Sequence, residues 1–453
     1  MALKRLFVAN RGEIAVRVLR SARKLGIETV LGVSAADRET LGAEMADRTV
    51  VLGPAASQKS YLDARLVVHA ALETGCDALH PGYGFLSERP ELSRLCAEQG
   101  IAFVGPRAET IASLGDKLAA RAIAIQAGVQ TVPGTDCIAT LDDAKTAARK
   151  LGFPVVMKAS AGGGGRGMFK AGSAAELDAS FDRSSREAEA AFGDRRLYME
   201  RFVERARHVE VQIVGDGEGG VVQFGERDCS VQRRYQKLIE EAPASAVPTD
   251  IRARLHESAV RLISAARYRN AGTVEYLYDV DRNDFYFIEV NSRIQVEHPV
   301  TEQVTGVDLI AVQLRVAAGE GIGVEQQDVV LRGHAIEVRV NAENPRANFA
   351  PSPGRITRWH APTGEGIRLD THARQGYLVP PFYDSMIGKL IAFGKDRDQA
   401  IDRLLGAIGE FTLEGPKNTL ELAAFIVNHH DFRDNRINTR WLEDKGLTDF
   451  GKR

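Results

Sequence analysis

Short apolar runs alternate with amphipathic stretches over about the first 110 residues. "KRLFVAN", "IETVLGVS", "CDALH" and "IAFVGP" read as strands. Between them, "RGEIAVRVLRSARKLG", "YLDARLVVHAALETG" and "ERPELSRLCAEQG" place apolar residues at helical spacing, and the first ends at Gly26, a candidate C-cap. Strands and helices in turn, with short joins, predict a parallel, doubly wound α/β unit. Its first turn, "ANRGEIA", lacks the G-x-G-x-x-G fingerprint, so the unit is Rossmann-like without a dinucleotide grip. "HPGYGFLSE" (80–88) breaks the pattern with two glycines and a proline. It reads as a structured loop at the C-terminal end of a strand, where ligands bind in open α/β sheets. From about 115 to 330 the pattern is mixed, with long helical stretches at 115–128 and 251–268. After "RGHAIEVRVNAE" (332–343), β-like pieces and Gly/Pro turns precede a helix at 397–412, which predicts a compact α+β closing domain.

One stretch alternates polar and apolar residues with unusual polar content. In "FIEVNSRIQVEHP" (287–299), Glu289, Asn291, Arg293, Gln295 and Glu297 occupy the odd positions, while Val290, Ile294 and Val296 fall between them. A strand would put the odd set on one face. Upstream, runs 273–279 and 285–291 flank the turn-like "VDRND", which predicts a hairpin with a five-residue loop. A symmetric register pairs 279 with 285 and so sets Glu275 opposite Glu289. Two carboxylates roughly 5 Å apart at Cβ repel. Splaying into water, a proton or a cation between them would relieve this. We favour a hard divalent cation such as Mg²⁺, with Asn291 able to add an oxygen.

A phosphate grip lies upstream. "FPVVMKASAGGGGRGMFKAG" (153–172) holds four consecutive glycines with Lys158 before them and Arg166 after. The lysine precedes the glycines and a strand follows them, unlike a P-loop. The segment reads as a glycine-rich hairpin tip whose N–H groups approach phosphates and which closes over ATP. Lys117 and the basic run Arg227, Arg233, Arg234 and Lys237 are further cationic candidates, although such a run also suits a salt-bridge lattice. An acid pair for metal downstream of a phosphate flap suggests phosphoryl transfer from ATP to an acid.

The totals narrow the class. The chain has 453 residues, a formal charge of −2 and a hydrophobic fraction of 44%, enough for two to four domains. The balanced charge gives no footprint for nucleic acid, and no apolar run approaches the ~20 residues that span a bilayer. "MALKRLFVANRGE" turns charged too soon for a signal peptide. Cys76, Cys96, Cys137 and Cys229 form no C-x-x-C pair and read as free thiols of a reducing compartment, consistent with a cytoplasmic protein.

Taken in order, "ANRGEIA", "HPGYGFLSE", "GDK", "KASAGGGGRGM", "RHVEVQI", "ERDCSVQRR", "QKLIEEAP", "GTVE", "FIEVNSRIQVEHPVTE", "GHAIEVRVNAE" and "PPFYDSMIGKL" resemble the biotin carboxylase family within the ATP-grasp enzymes, from residue 9 to about 390. The resemblance implies a Rossmann-like N-terminal domain over 1–114, an ATP-grasp domain over 115–330 with a mobile lid at about 131–203, and a C-terminal α+β domain over 331–447. It implies that Lys117, Lys158, Gly164, Gly165, Glu200, Arg201, Phe202, Val203 and His208 bind ATP, with Tyr235 near the nucleotide. Glu275, Glu289 and Asn291 would hold Mg²⁺ or Mn²⁺. Lys237, Arg293, Gln295 and the Val296 backbone would hold bicarbonate, Glu297 would take its proton, and Arg339 would stabilise the biotin enolate. Bicarbonate is an anionic, poor nucleophile, so a cationic cradle and an adjacent base suit its attack on the γ-phosphate to give carboxyphosphate.

Biotin would arrive on a carrier protein, with carboxyltransferase subunits as further partners and a homodimer as the family's usual assembly. Tyr235 stands where many stand-alone members have His, which hints at an acyl-CoA system and a role in acetyl-CoA/acyl-CoA carboxylase and fatty acid synthesis. Propionyl-CoA, pyruvate and urea are the other acceptors. Ser292 replaces the usual Thr or Pro at an even position of little consequence, and Cys229 reads as a buried thiol with no chemical role. "VMKA" (156–159) places Lys158 on a strand leading to the flap, so it reads as a phosphate ligand and not a biotin acceptor. The sequence stops after "LTDFGKR" without a carboxyltransferase region, so the carrier is expected on another chain or in a part not present here. Two rival readings are an ATP-grasp carboxylate–amine ligase, which needs an amine pocket, and a catalytically dead nucleotide sensor, which needs neither Glu297 nor Arg339.

Overall fold

Strands Arg5–Val8, Glu28–Ser34, Arg48–Gly53, Ala78–His80 and Ala102–Phe103 form a parallel sheet in a computed structural model of the chain, which describes residues 3–159 and 168–452. Arg5–Val8 lies in the middle, with the next two strands on one side and the last two on the other. The order therefore reverses at the central strand. The loops after Arg5–Val8 and Ala78–His80 open on one crevice, as expected for "HPGYGFLSE". Helix Gly12–Lys24 buries Ile14, Ala15, Val18, Leu19 and Ala22 against this sheet, and the chain leaves it through Gly26 at φ +71°. Strand Arg48–Gly53 was not expected from the sequence. It is an edge strand on which only Leu52 is buried, so it carries no core-facing periodicity.

A second, antiparallel sheet has the order Gly134–Ile138, Leu197–Arg201, Val155–Ala159, Met168–Ala171. Helices Leu141–Leu151 and Ala174–Phe192 cover it, with Ala144, Ala148 and Leu177 packed on Met157 and Met199. Val155–Ala159 and Met168–Ala171 are the two arms of the hairpin predicted around the glycine run, and Lys158 pairs with Met168. The run itself, with Gly164, Gly165 and Arg166, lies outside the described residues.

The third sheet has eight antiparallel strands, in the order Asp284–Asn291, Arg269–Asp279, Ala206–Asp216, Val221–Arg233, Gln236–Ala242, His334–Asn341, Met386–Gly394, Ile367–Thr371. Helix Thr249–Ala265 packs Leu255, Leu262 and Ile263 beneath Val211, Val274 and Tyr276. Helix Arg397–Glu410 packs Ile401, Leu404 and Ile408 with Ile336 and Leu390. The C-terminal segment thus extends the central sheet by direct pairing of Gln236–Ala242 with His334–Asn341. Among the described residues no helix is long and apolar enough to cross a membrane.

The acid hairpin reaches its predicted outcome by a different route. Asp279 pairs with Asp284, leaving a four-residue connection, Val280 to Asn283, instead of five. In that register Glu275 would face Ile288. A β-bulge between Tyr276 and Glu275 absorbs Ile288, and beyond it Glu275 faces Glu289. The strand also ends earlier than the alternation suggested. It stops at Asn291, residues 292–297 are irregular, and helix His298–Thr305 follows. Arg293, Gln295 and Glu297 are therefore loop residues and not members of a strand face.

Candidate active site

The three sheets enclose a cleft of about 890 Å³. Its walls include Asn10, Tyr83 and Glu88 from the N-terminal loops, Lys158 and Met168 from the hairpin, and Glu275, Arg293 and Arg339 from the large sheet and its loop. Strand alternation arms one face of that sheet. His208, Glu210 and Gln212 alternate along Ala206–Asp216 and pair with Leu277, Glu275 and Thr273.

Lys237 is the hub. Its Nζ donates to Glu210 Oε2 (2.5 Å), Glu275 Oε1 (3.0 Å) and Glu297 Oε1 (2.7 Å), which uses all three ammonium donors. Three buried carboxylates around one ammonium need further positive charge. Arg227, fully buried, donates from Nε to Glu210 at 2.6 Å. His208 Nε2 lies 3.0 Å from Glu275 Oε2 but out of hydrogen-bond alignment, so that contact is chiefly electrostatic. Arg339 Nη2 donates to Glu297 Oε2 at 3.1 Å. Burial opposes ionisation of Glu297, yet Lys237, Arg339 and Arg227 outweigh it and hold its carboxyl well below the usual range. Burial likewise opposes ionisation of Glu275, and Lys237 and His208 overcome it. Both acids are anionic at neutral pH.

Arg339 also donates from Nε to Glu240 Oε1 at 2.6 Å. Burial, opposed by Arg339, pushes Glu240 up to about 7. Glu337 pairs with Glu240 across the ladder, and neither of the Glu337 carboxyl oxygens has a hydrogen-bond partner among the described residues. Burial, opposed by Lys389 and reinforced by Glu240, holds Glu337 well above the ordinary range.

Glu275, Glu289 and Asn291 form the predicted metal set. Glu275 Oε1 also accepts from Gln295 Nε2 at 3.2 Å, and Lys117 Nζ lies 3.6 Å from Glu289 Oε2. Asn291 Oδ1 accepts from Arg293 Nη2 at 3.0 Å, and its Nδ2 is buried with no partner among the described residues. Two facing carboxylates and a nearby amide oxygen make a hard, all-oxygen donor set that fits Mg²⁺ or Mn²⁺. The cations around them, Lys117, Lys237 and His208, balance the acids in the geometry described here.

Arg293 is held from three sides. Nε donates to Glu88 Oε2 (2.9 Å), Nη1 to Gln295 Oε1 (2.6 Å) and Nη2 to Asn291. The Val296 carbonyl accepts from Lys389 Nζ at 2.7 Å, which leaves the Val296 N–H as the group able to meet an anion.

On the hairpin side, Lys158 Nζ donates to Glu200 Oε2 at 2.5 Å, and Arg121 Nη1 to Glu200 Oε1 at 3.3 Å. The remaining predicted nucleotide stretch turns its side chains elsewhere. Arg201 donates to the Tyr286 hydroxyl (2.8 Å), Phe202 carries Lys170 over its ring, and Val203 is buried beside Val132 and Tyr286. Tyr235 is exposed at φ +65° on the cleft rim. The basic run is not one strip. Arg227 is a buried partner of Glu210, Arg233 binds Asn348, and only Lys237 reaches the centre. Cys229 is fully buried with Sγ 3.8 Å from Glu297 Oε1, and burial pushes its thiol far up.

Sequence reading passed over Glu210, Glu88, Arg121, Glu240 and Lys389. Glu210 had a visible signal, the alternation His208, Glu210, Gln212 inside "RHVEVQI". Lys389 stands inside the motif "PPFYDSMIGKL", but its apolar surroundings assign it no role, and it acquires partners only through the fold.

Known proteins share this arrangement from end to end. Residues 2–111 match the model for the biotin carboxylase N-terminal domain, 116–324 that for the carbamoyl-phosphate synthase L chain ATP-binding domain, and 337–444 that for the biotin carboxylase C-terminal domain. Biotin carboxylase 1 of Bacillus subtilis is 47% identical over 442 residues, covering 97% of this chain and 98% of that protein. A pyruvate carboxylase subunit of Methanothermobacter thermautotrophicus is 45% identical over 441 residues, covering 97% and 89%. The biotin carboxylase–β,γ-ATP complex from Campylobacter jejuni has a TM-score of 0.94 at 42% identity, covering 98% of this chain and 99% of that one. The biotin carboxylase domain dimer of Hydrogenobacter thermophilus 2-oxoglutarate carboxylase, solved with MgADP, ADP and bicarbonate, has a TM-score of 0.93 at 43% identity, covering 98% of each chain. Such identity over the full length, on a chain whose charged residues converge in this way, makes the protein a member of the biotin carboxylase family of ATP-grasp ligases.

Proposed function

We propose that the protein uses ATP and bicarbonate to carboxylate biotin carried on a partner protein. The observation that carries this reading is the Lys237 hub, which joins Glu275 of the metal set, the base Glu297 and, through Glu297, Arg339. Lys237, Arg293, Gln295 and the Val296 N–H bind and orient bicarbonate. Lys237 has no free donor, so the arriving anion takes the place of one of its carboxylates. Glu297, ionised and buried, removes the bicarbonate proton as the oxygen attacks the γ-phosphorus of ATP and the bond to ADP breaks, giving carboxyphosphate. Carboxyphosphate falls to CO₂ for the biotin nitrogen and phosphate that takes up the nitrogen's proton. Arg339 supplies fixed positive charge where negative charge grows on the acceptor. Glu275, Glu289 and Asn291 hold Mg²⁺ or Mn²⁺, which when bound neutralises phosphate charge. Lys117, Lys158, His208 and the backbone at 200–203 face the nucleotide, with Gly164 and Gly165 assigned to it from sequence alone.

Measuring ATP hydrolysis with and without bicarbonate and free biotin tests the reading. Turnover should require bicarbonate and rise with biotin, and equal turnover without bicarbonate overturns it.

The acceptor beyond biotin is read as an acyl-CoA. The protein then serves an acetyl-CoA/acyl-CoA carboxylase, beside a carrier and carboxyltransferase subunits, as a cytoplasmic homodimer. Pyruvate is the second reading, favoured by the methanogen relative whose name is that of a pyruvate carboxylase. Purifying the tagged protein from its own cells and assaying the recovered assembly with acetyl-CoA, propionyl-CoA and pyruvate decides between them.

A further inference from the structure

The loop carrying Arg293, Gln295 and Glu297 has no regular secondary structure, yet it must place three side chains in one small volume. Its successive carbonyls at 295 and 296 both face protein donors. His298 Nδ1 lies 2.7 Å from the Gln295 oxygen, and Lys389 Nζ lies 2.7 Å from the Val296 oxygen. Lys389 is fully buried on strand Met386–Gly394, next to Arg339 in register. Its other close partner, Glu13 Oε1 at 3.2 Å, is out of hydrogen-bond alignment. The Val296 carbonyl is thus the one well-aligned hydrogen bond of a buried ammonium among the described residues. A buried charge commits strongly to such a partner. The three groups come from different parts of the chain: Glu13 from the first helix, Val296 from the acid loop, Lys389 from the C-terminal strand.

We infer that Lys389 is a positioning residue: by holding the Val296 carbonyl away from the cleft, it turns the Val296 N–H and the Glu297 carboxylate toward the bound anion. This inference rests on the proposed bicarbonate site. It assigns Lys389 no contact with substrate and no proton transfer.

The test is K389M, which keeps the side-chain length and removes the donor. The KM for bicarbonate should rise at least tenfold and kcat fall, while the KM for ATP and the ATP affinity measured calorimetrically stay within about twofold. Equal losses in the ATP and bicarbonate constants would mark a merely structural lysine and overturn the inference, as would an unchanged bicarbonate KM. If K389M does not fold, a crystal structure of the unaltered protein with bicarbonate reads the same claim. The Val296 carbonyl should remain on Lys389 with its N–H toward the anion, and a turned peptide refutes it. Bicarbonate-independent turnover by the unaltered protein would instead sink the reading of the site itself.

Discussion

Glu297 meets Lys237 through one oxygen and Arg339 through the other, so each oxygen of the proposed base is matched to a different cation. E297Q keeps the shape and removes the charge. Carboxylation should fall by about 100-fold or more, with ATP affinity by calorimetry nearly unchanged. Glu13 provides a pH test of the buried charges. Burial, opposed by Lys389, pushes its carboxyl up to about 7 from an ordinary 4.5. The folded chain therefore holds an extra proton between those values. The associated stability is complete below about 4.5 and is lost as pH rises through about 7. Relative to E13Q, the unaltered protein should lose stability to urea between pH 5 and pH 8, on the order of 3 kcal/mol. Parallel pH profiles for the two proteins would contradict this. Among the thiols, Cys137 is exposed, whereas Cys76, Cys96 and Cys229 are buried, and burial pushes Cys96 up to about 12. One thiol should react with maleimide in the native protein and four after denaturation, as read by intact mass.

Elements place these residues, and here the sequence was informative but incomplete. Alternation along 289–297 picked out side chains that all line the cleft although the strand ends at Asn291. The reason is that Glu88, His298 and Lys389 tie the following loop in place, and such long-range partners leave no periodic trace. The pairing of Glu275 with Glu289 was foreseen, while the bulge at Ile288 that produces it was not, because a bulge changes register without changing composition. The family resemblance assigned roles to Glu297 and Arg339 but none to the buried acids Glu210 and Glu240, which stand in its motifs and gain meaning only from the cations opposite them. The strand behind Glu210 offers a packing test. A Cβ on Gly215 would lie 2.1 Å from the Tyr268 carbonyl oxygen, a backbone atom that itself accepts from Gly217. G215A should cost about 2 kcal/mol or more by urea unfolding.

At the scale of the molecule, the large sheet runs without a break from the paired acids Glu289 on Asp284–Asn291 and Glu275 on Arg269–Asp279 to Arg339 on His334–Asn341. The change of family model between residues 324 and 337 therefore falls within one sheet: strand His334–Asn341, which begins in that interval, is zipped to the distant Gln236–Ala242 by the ladder from Ile239–Val338 to Ala242–Ala335. Dissecting the protein in that interval would strip each of these two strands of one neighbour and present raw hydrogen-bonding edges to solvent. Fragments 1–330 and 331–453, produced apart, should clump through those edges and regain solubility only when made together in the same cell.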